Sequence, residues 1–458
     1  LAKLWQKDYE LNEMVEAFTV GEDHVLDMNL VKADCVASIA HAAMLCSIGI
    51  LTAAENNDLK KELLSIIELV TQGRFVIKAA DEDCHTAIEN HLVDKLGDAG
   101  KKIHTGRSRN DQVIAALRLY ARDFLQRFRS SCTTIVGSLL EFGRRHRDIP
   151  MPGRTHMQIA MPSSVGLWSL AFAEQLTDDL ELVDTAYRLN DMCPLGSAAS
   201  YGVPLPLNRE MVAELLGFSR LQNNVLYVNN SRGKIESIIL DSLEQVLLTL
   251  SKLAQDLILF SMPEFGYFTL PRELCSGSSI MPQKKNPCGL ELVRAKAATV
   301  SAHSMQIKNI IKALPSGYNR DFQETKPPFI RGVNTALACV EVMNLSIQKL
   351  TVNREKLLQG FIPEIYATDA ALDLVKKGMP FRDAYKQIGL HLDELGKYDP
   401  VQIIHAKKSS GNTGNLCSEK TEKTLQRKIK QYAEEHAKVD KALSGLLGTR
   451  PVLYKMIF

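Results

Sequence analysis

The chain carries nine cysteines but no Cys-x-x-Cys pair, and its eleven histidines include no His-x-x-x-His pair. A structural zinc site and a metal-binding helix therefore both lack their usual spacing. The cysteine count is odd and the positions are scattered, which argues against a disulfide framework and for reduced thiols in a cytoplasm. An excess of one charge is also missing. The net charge is +2 over 458 residues, so neither nucleic acid nor a membrane surface is expected as a partner. No apolar run is long enough, or free enough of charge, to span a bilayer. The sequence does not open on a basic segment followed by an apolar run, so no signal peptide is expected. Strand-like alternation is scarce throughout. Against these gaps stands an ordinary globular balance of 45% hydrophobic and 24% charged residues, enough to bury a large core. The expectation is a cytoplasmic, mainly α protein.

Helical periodicity divides the chain in three. Residues 1–105 hold short to medium helices, with Leu63, Ile66, Ile67 and Val70 stopping at Gly73. Residues 106–360 hold five long runs. The first continues from Asp111 to Pro150, the second starts after Pro162, and the third starts near Ser231. The fourth lies between Pro287 and Pro315, and the fifth follows Pro327-Pro328. Helices of roughly 25–35 residues are about 40–50 Å long, a length that suits a bundle. The third also carries Ile238, Leu240, Leu247, Leu248, Ile258 and Leu259 off its main stripe. A helix apolar nearly all round is buried on several faces, inside a bundle or against other subunits. Residues 361–458 return to shorter helices, with the polar stretch 407–421 expected as a mobile surface loop.

The connections between the long helices are dense in polar groups. His104-Thr105-Gly106-Arg107-Ser108-Arg109-Asn110-Asp111-Gln112 precedes the first long helix. Ser108, Asn110 or Asp111 suits a helix cap. Two arginines at the positive end of a helix are unfavourable unless an anion sits there, and Arg109 suits a two-pronged grip on a carboxylate. Thr155-His156 lies between the first and second helices, where His156 is either an acid–base or orienting group or a solvated loop histidine. Asp83-Cys84-His85-Thr86 precedes a helix expected from about Ala87, and Asn229-Asn230-Ser231-Arg232 opens the third long helix. For both, capping and ligand contact remain open. Tyr318, Gln323 and Lys326 sit in a donor-rich link between the fourth and fifth helices. Those groups suit recognition of an amino acid, or a solvated turn.

Gly277-Ser278-Ser279-Ile280-Met281-Pro282-Gln283-Lys284-Lys285-Asn286-Pro287 is punctuated as a loop. Gln283 before Lys284, with no Ser/Thr after it, argues against a phosphate loop of the Gly-Lys-Ser/Thr type. A hydroxyl among cations suits proton abstraction beside a carboxylate. The stretch closely resembles the signature of the fumarase/aspartase superfamily, whose members break a C–N or C–O bond and release fumarate. Its Gln-Lys-Lys-Asn form is similar to the argininosuccinate lyase family and the related δ-crystallins. His104–Gln112 matches that family without a gap. Thr155-His156 matches the superfamily's second region, and Ala367-Thr368-Asp369 through Arg382 also looks alike. Departures are Trp5-Gln6-Lys7-Asp8-Tyr9 for the usual Trp-Gly-Gly-Arg-Phe, Thr19 at a serine position, Arg320 for lysine, Thr325 for aspartate, and the loop Leu195–Ser200.

The resemblance implies three helical domains, with the central ones of four chains forming a 20-helix core. Each site in such a homotetramer is drawn from three subunits. It implies Ser278 as base, Lys284 and Asn286 on the carboxylate whose charge grows, and His156 as acid or orienting group. It places Thr155, Ser108, Arg109 and Asn110 on the fumaryl part, and Tyr318, Gln323 and Lys326 on the arginine end. Thr19, Asp23, Asp83, His85 and Arg232 complete the expected substrate contacts. The substrate is a small molecule, with no cofactor and no metal. Another fumarate-releasing lyase, or a retired δ-crystallin-like structural protein, is the alternative.

Overall fold

A computed structural model describes residues 12–396 and 398–456; Trp5–Tyr9 lies outside them. Shorter helices come first, the main ones being α1 (Glu13–Val20), α2 (Val31–Ser47), α3 (Ala53–Thr71) and α4 (Cys84–Leu96). Thr52 and Glu55 cap α3 reciprocally, satisfying two backbone donors that the helix itself cannot. The five long helices follow as α5 (Arg109–Arg145), α6 (Val165–Asn190), α7 (Lys234–Ser261), α8 (Cys288–Ile311) and α9 (Lys326–Lys349). They run for 37, 26, 28, 24 and 24 residues, a wider spread than periodicity suggested. The C-terminal part holds α10 (Ala367–Lys376), α11 (Phe381–Leu390) and α12 (Ser418–Leu447). Among the described residues, no single helix is long and apolar enough to cross a membrane.

Helix α7 is the centre of the bundle, packing on α6, α8 and α9. Ile235, Ile239, Leu243, Val246, Leu250, Leu253 and Leu257 repeat at steps of three and four and are all buried. Each such side chain contributes roughly 1.5–3 kcal/mol by leaving water. The approach of α9 is set by Gly332, where a Cβ would stand 2.7 Å from Leu240 Cδ2. Not all of the apolar surface of α7 is covered within the chain: Leu248 is 50% exposed. Leu292 and Met305 of α8 and Val342 and Leu345 of α9 are exposed as well.

Three local expectations are corrected. Helix α4 starts at Cys84, not near Ala87, because the Asp83 side chain accepts the Thr86 N–H at 2.8 Å. His85 therefore sits inside the first helical turn. The stretch around Arg154 is not an open loop but an antiparallel hairpin, β1 (Pro150–Thr155) and β2 (Gln158–Ser164), with an irregularity between Pro152 and Arg154. Prolines and a glycine hid it, and an edge ribbon with a bulge tolerates them. The polar stretch 407–421 is helical from Ser418, with Thr413 and Thr421 buried. Thr413 Oγ1 donates to Ile404 O at 2.6 Å, so the turn is held down by its own hydroxyl.

The long helices give the bundle two poles. The start of α5, Arg232 before α7, the 318–325 link and the start of α9 share one pole. At the other, α5 ends and the hairpin begins. Arg154 lies over the Phe265 ring at 4.8 Å, and Phe142 meets Phe268. The loop 276–287 enters α8 at this second pole, where Lys349 at the end of α9 pairs with Glu273. Helix α5 alone separates the poles by about 55 Å at 1.5 Å per residue.

Candidate active site

At the first pole a cavity of about 500 Å³ opens among α1, α4, α5 and the 318–326 segment. The expected residues that line it come from four places. Thr19 and Asp23 come from the N-terminal helices, and Asp83 and His85 from the start of α4. Ser108, Arg109 and Asn110 come from the start of α5. Arg232, Tyr318, Gln323 and Lys326 come from the ends of α7 and α9 and the link between α8 and α9. The five others, Thr155, His156, Ser278, Lys284 and Asn286, do not line it. They belong to the second pole.

The cavity wall is a lattice of ion pairs. Lys326 is buried, with Nζ 2.7 Å from Asp27 Oδ1 and 2.9 Å from Asp23 Oδ2. Burial alone would lower the Lys326 pKa, but the two carboxylates raise it well above its ordinary value. Burial would likewise raise Asp27, yet the Lys326 ammonium holds it below the usual carboxylate range. Asp23 is pushed up to about 6, first by burial and then by Asp27, against the pull of Lys326. His104 is pushed down to about 4 by burial and by the Arg107 and Arg109 guanidiniums. Buried Arg232 contributes an Nε with no hydrogen-bond partner, and its guanidinium stands about 6.0 Å from the Tyr318 ring centre.

The start of α5 satisfies its backbone and its charges separately. Ser108 caps the helix, and Asp111 returns a bond to the Ser108 N–H at 2.8 Å. Asp111 also takes the Gly196 and Ala198 N–H groups at 2.9 and 2.8 Å. Arg109 has its anions within the chain: Glu82 at 3.2 Å and Asp83 at 3.3 Å, with Thr86 Oγ1 at 2.6 Å. The arginine is thus held in place while one side faces the cavity. Glu82 sits at φ 67, a left-handed conformation costly for a residue with a Cβ. Gln323 Nε2 and Arg320 Nη2 both donate to Thr19 O, at 3.0 and 2.7 Å. That pins the end of α1 across the mouth.

At the second pole the loop is closed by a two-way bridge between Ser276 and Asn286. Asn286 Nδ2 donates to Gly277 O at 3.1 Å. Ser278 Oγ accepts the Ile280 and Met281 N–H groups at 3.3 and 3.1 Å. Two backbone dipoles thus aim at that oxygen and favour a negative charge on it. Lys284 is exposed, and Ile280 is 82% exposed. The hairpin tip is Thr155-His156-Met157-Gln158, and His156 and Met157 have φ 52 and 62. Two-residue turns with both φ positive normally use Asn-Gly. A backbone outlier at an exposed tip points to a functional demand on the side chain. Met157 is 59% exposed, so Met157→Gly loses little packing. It is expected to stabilise the fold by about 0.5–1 kcal/mol, after glycine's own entropy is counted. A rise in the urea midpoint checks this; an unchanged or lower midpoint contradicts it.

The lyase family model matches residues 8–302. The chain is 45% identical to the argininosuccinate lyase of Thermotoga neapolitana over 386 residues, 84% of this chain and 97% of the relative. It is 41% identical to that of Phocaeicola vulgatus over 446 residues, 97% and 99% of the two chains.

The chain belongs to the argininosuccinate lyase family.

The fold agrees with solved structures of the wider fumarase/aspartase superfamily. An EDDS lyase superposes with TM-score 0.80 at 22% identity, covering 96% of this chain and 95% of that one. A class II fumarase from Schistosoma mansoni gives 0.70 at 17%, covering 85% and 94%.

For this member of the argininosuccinate lyase family, the cavity adds residues that the sequence reading passed over. Glu82 and Glu89 line it, and burial pushes Glu89 up. Glu89 was visible one turn beyond His85 on α4. Asp34, Ser38 and His41 form a buried polar stripe at steps of four and three along the largely apolar α2, which is an unusual pattern for a mostly buried helix. Among the described residues, Asp27, Cys84 and His85 are close enough together to share a metal ion, but two of the three already have partners. Asp27 holds Lys326, and His85 Nδ1 is bonded to Asp34 at 2.9 Å. Burial pushes the Cys84 thiol far from thiolate formation.

Proposed function

We propose that the protein cleaves argininosuccinate reversibly to L-arginine and fumarate. The observation that carries this reading is the likeness to argininosuccinate lyases at 41–45% identity over nearly the whole length of those relatives. The cavity suits such a substrate. It sets carboxylates (Asp23, Glu82, Asp83, Glu89) against cations (Arg109, Arg232, Lys326), and argininosuccinate carries both signs of charge.

The reaction removes a proton from the carbon beside a carboxylate and breaks the neighbouring C–N bond. The electron pair left on carbon forms the fumarate double bond, and the departing guanidinium nitrogen takes a proton. A doubly charged carboxylate must be held on the way, which calls for donors fixed in advance. Ser278 is the base, acting as an alkoxide. An alkoxide has three lone pairs: the Ile280 and Met281 N–H groups take two, and the third faces the substrate. Lys284 and Asn286 hold the carboxylate whose charge grows. Thr155, Ser108, Asn110 and Arg109 place the fumaryl part, while Tyr318, Gln323 and Lys326 read the arginine end. Thr19, Asp23, Asp83, His85 and Arg232 complete the contacts. His156 protonates the leaving nitrogen or orients the groups that do.

These roles need the two poles of the bundle in one place, and a 55 Å helix keeps them apart within one chain. We therefore propose a homotetramer in which the cavity of one chain meets the Ser278 loop and the His156 hairpin of others. The exposed apolar side chains on α7, α8 and α9 support such packing, since large apolar groups left uncovered on a bundle can be buried against other subunits. The three-domain division at about residues 106 and 360 fits the same reading. Nine free cysteines support a reducing, cytoplasmic setting. The test is direct. Mixed separately with argininosuccinate, adenylosuccinate and aspartate, the protein releases ultraviolet-absorbing fumarate from the first alone. Silence with all three contradicts the reading, and release from another of them replaces it.

A further inference from the structure

Asp34 lies at 0% exposure on α2 and does not line the cavity. Its carboxylate nevertheless points at the cavity wall through one intermediary. It accepts Gln112 Nε2 at 2.9 and 3.0 Å, Ser38 Oγ at 3.4 Å and His85 Nδ1 at 2.9 Å. His85 is the wall residue of this group. Among the described residues, its second nitrogen, Nε2, meets only the Cys84 thiol, at 4.0 Å, a contact too long and too soft to satisfy it. We propose that Asp34 is a positioning residue that fixes His85 as a two-donor imidazolium, with Nδ1–H on Asp34 and Nε2–H kept for a carboxylate of the substrate. This rests on the reading of His85 as a substrate contact.

The charges around the ring set the sign. Burial disfavours a charged imidazole, and Arg107, His104 and Lys326 add cationic or potentially cationic neighbours. Asp34 opposes them at hydrogen-bond distance, joined by Asp83 at the cap of α4 and Asp27 on the turn before α2; Glu89 stands on the same helix as His85. The anions win, and the His85 pKa lies above its ordinary value. The charged form is therefore favoured over that of a free imidazole and is lost as pH rises through that raised value. Without the Asp34 charge, burial and the cations dominate and the ring is neutral at pH 8. Gln112 has a structural use here too: its amide holds both Asp34 oxygens, so the carboxylate cannot rotate off the ring.

Asp34→Asn keeps the volume and leaves an oxygen to accept Nδ1–H, but removes the charge. The experiment measures kcat and KM for argininosuccinate from about pH 5.5 to 9, the span over which a histidine changes charge. The proteins are wild type, Asp34→Asn, His85→Gln and the double variant. Asp34→Asn is expected to raise KM about tenfold or more at pH 8, the loss of one charged hydrogen bond, with kcat changed far less. The penalty shrinks as pH falls toward the lowered pKa that burial and the cations give the ring once Asp34 is uncharged. Wild-type KM takes its step at higher pH than the variant's, because Asp34 raises the His85 pKa. The double variant matches His85→Gln, because both substitutions remove one interaction. A KM for Asp34→Asn that tracks wild type across pH, or a penalty that adds to that of His85→Gln, overturns the positioning role. A normal KM in His85→Gln overturns the substrate-contact reading on which it rests. If Asp34→Asn does not fold, neutron diffraction of wild-type crystals at about pH 7.5 decides. Deuterium on both ring nitrogens supports the proposal, and deuterium on one overturns it.

Discussion

Ser278→Ala lowers turnover by roughly three orders of magnitude and leaves the affinity for argininosuccinate within a few-fold, a loss in the range set by removing a positioned base. Three powers of ten correspond to about 4 kcal/mol of transition-state stabilisation. The size follows from what the loop does for one oxygen. The N–H groups of Ile280 and Met281 already point at Ser278 Oγ, so the developing alkoxide meets donors that need no rearrangement. Alanine removes the oxygen and leaves the donors. Ground-state affinity is expected to survive because the substitution leaves the first-pole cavity, the proposed substrate-binding site, untouched. Stopped-flow turnover and equilibrium binding of the same variant separate the two effects. Near-normal turnover would remove Ser278 from the role of base.

The second large effect is recovery of activity by mixing two dead proteins. Ser278→Ala is inactive through the second pole, and Lys326→Met through the first. Lys326 anchors Asp23 and Asp27, so its loss empties the cavity of a buried cation. If each site combines poles from different chains, a hybrid contains sites in which both contributing chains are intact at the pole they supply. Random association of equal amounts leaves about a quarter of the sites with an intact Ser278 and an intact Lys326, by the symmetry of a closed homo-oligomer. Co-refolding or co-expression should therefore raise activity from background to about a quarter of wild type. Activity that stays at background in verified hybrids means that both poles are needed from the same chain, and the shared site is wrong.

The five long helices were legible because apolar residues such as Ile235, Ile239 and Leu243 repeat with the helical period, and prolines bracket the runs. The cavity was legible through local clusters: Ser108, Arg109 and Asn110 at one helix start, Tyr318 to Lys326 before another. Asp27 and Asp34 were missed because a lone carboxylate among apolar residues looks like a flaw in periodicity until its partner is known. Lys326 lies 299 positions from Asp27 and His85 lies 51 from Asp34, and no local pattern encodes such pairs. The β1–β2 hairpin was missed because Pro150, Pro152 and Gly153 mimic a loop, and its tip uses His156-Met157 where a glycine is usual. The distance between poles was readable in advance, since a run from Asp111 to Pro150 already implies a span no single site bridges.

The most direct test is a crystal structure of Ser278→Ala with argininosuccinate bound. One ligand should contact Arg109 and Lys326 of one chain and lie beside residue 278 of another, with a His156 hairpin from a further chain closing the site. A ligand held entirely within one chain's cavity, with residue 278 of every subunit remote from it, would contradict the account.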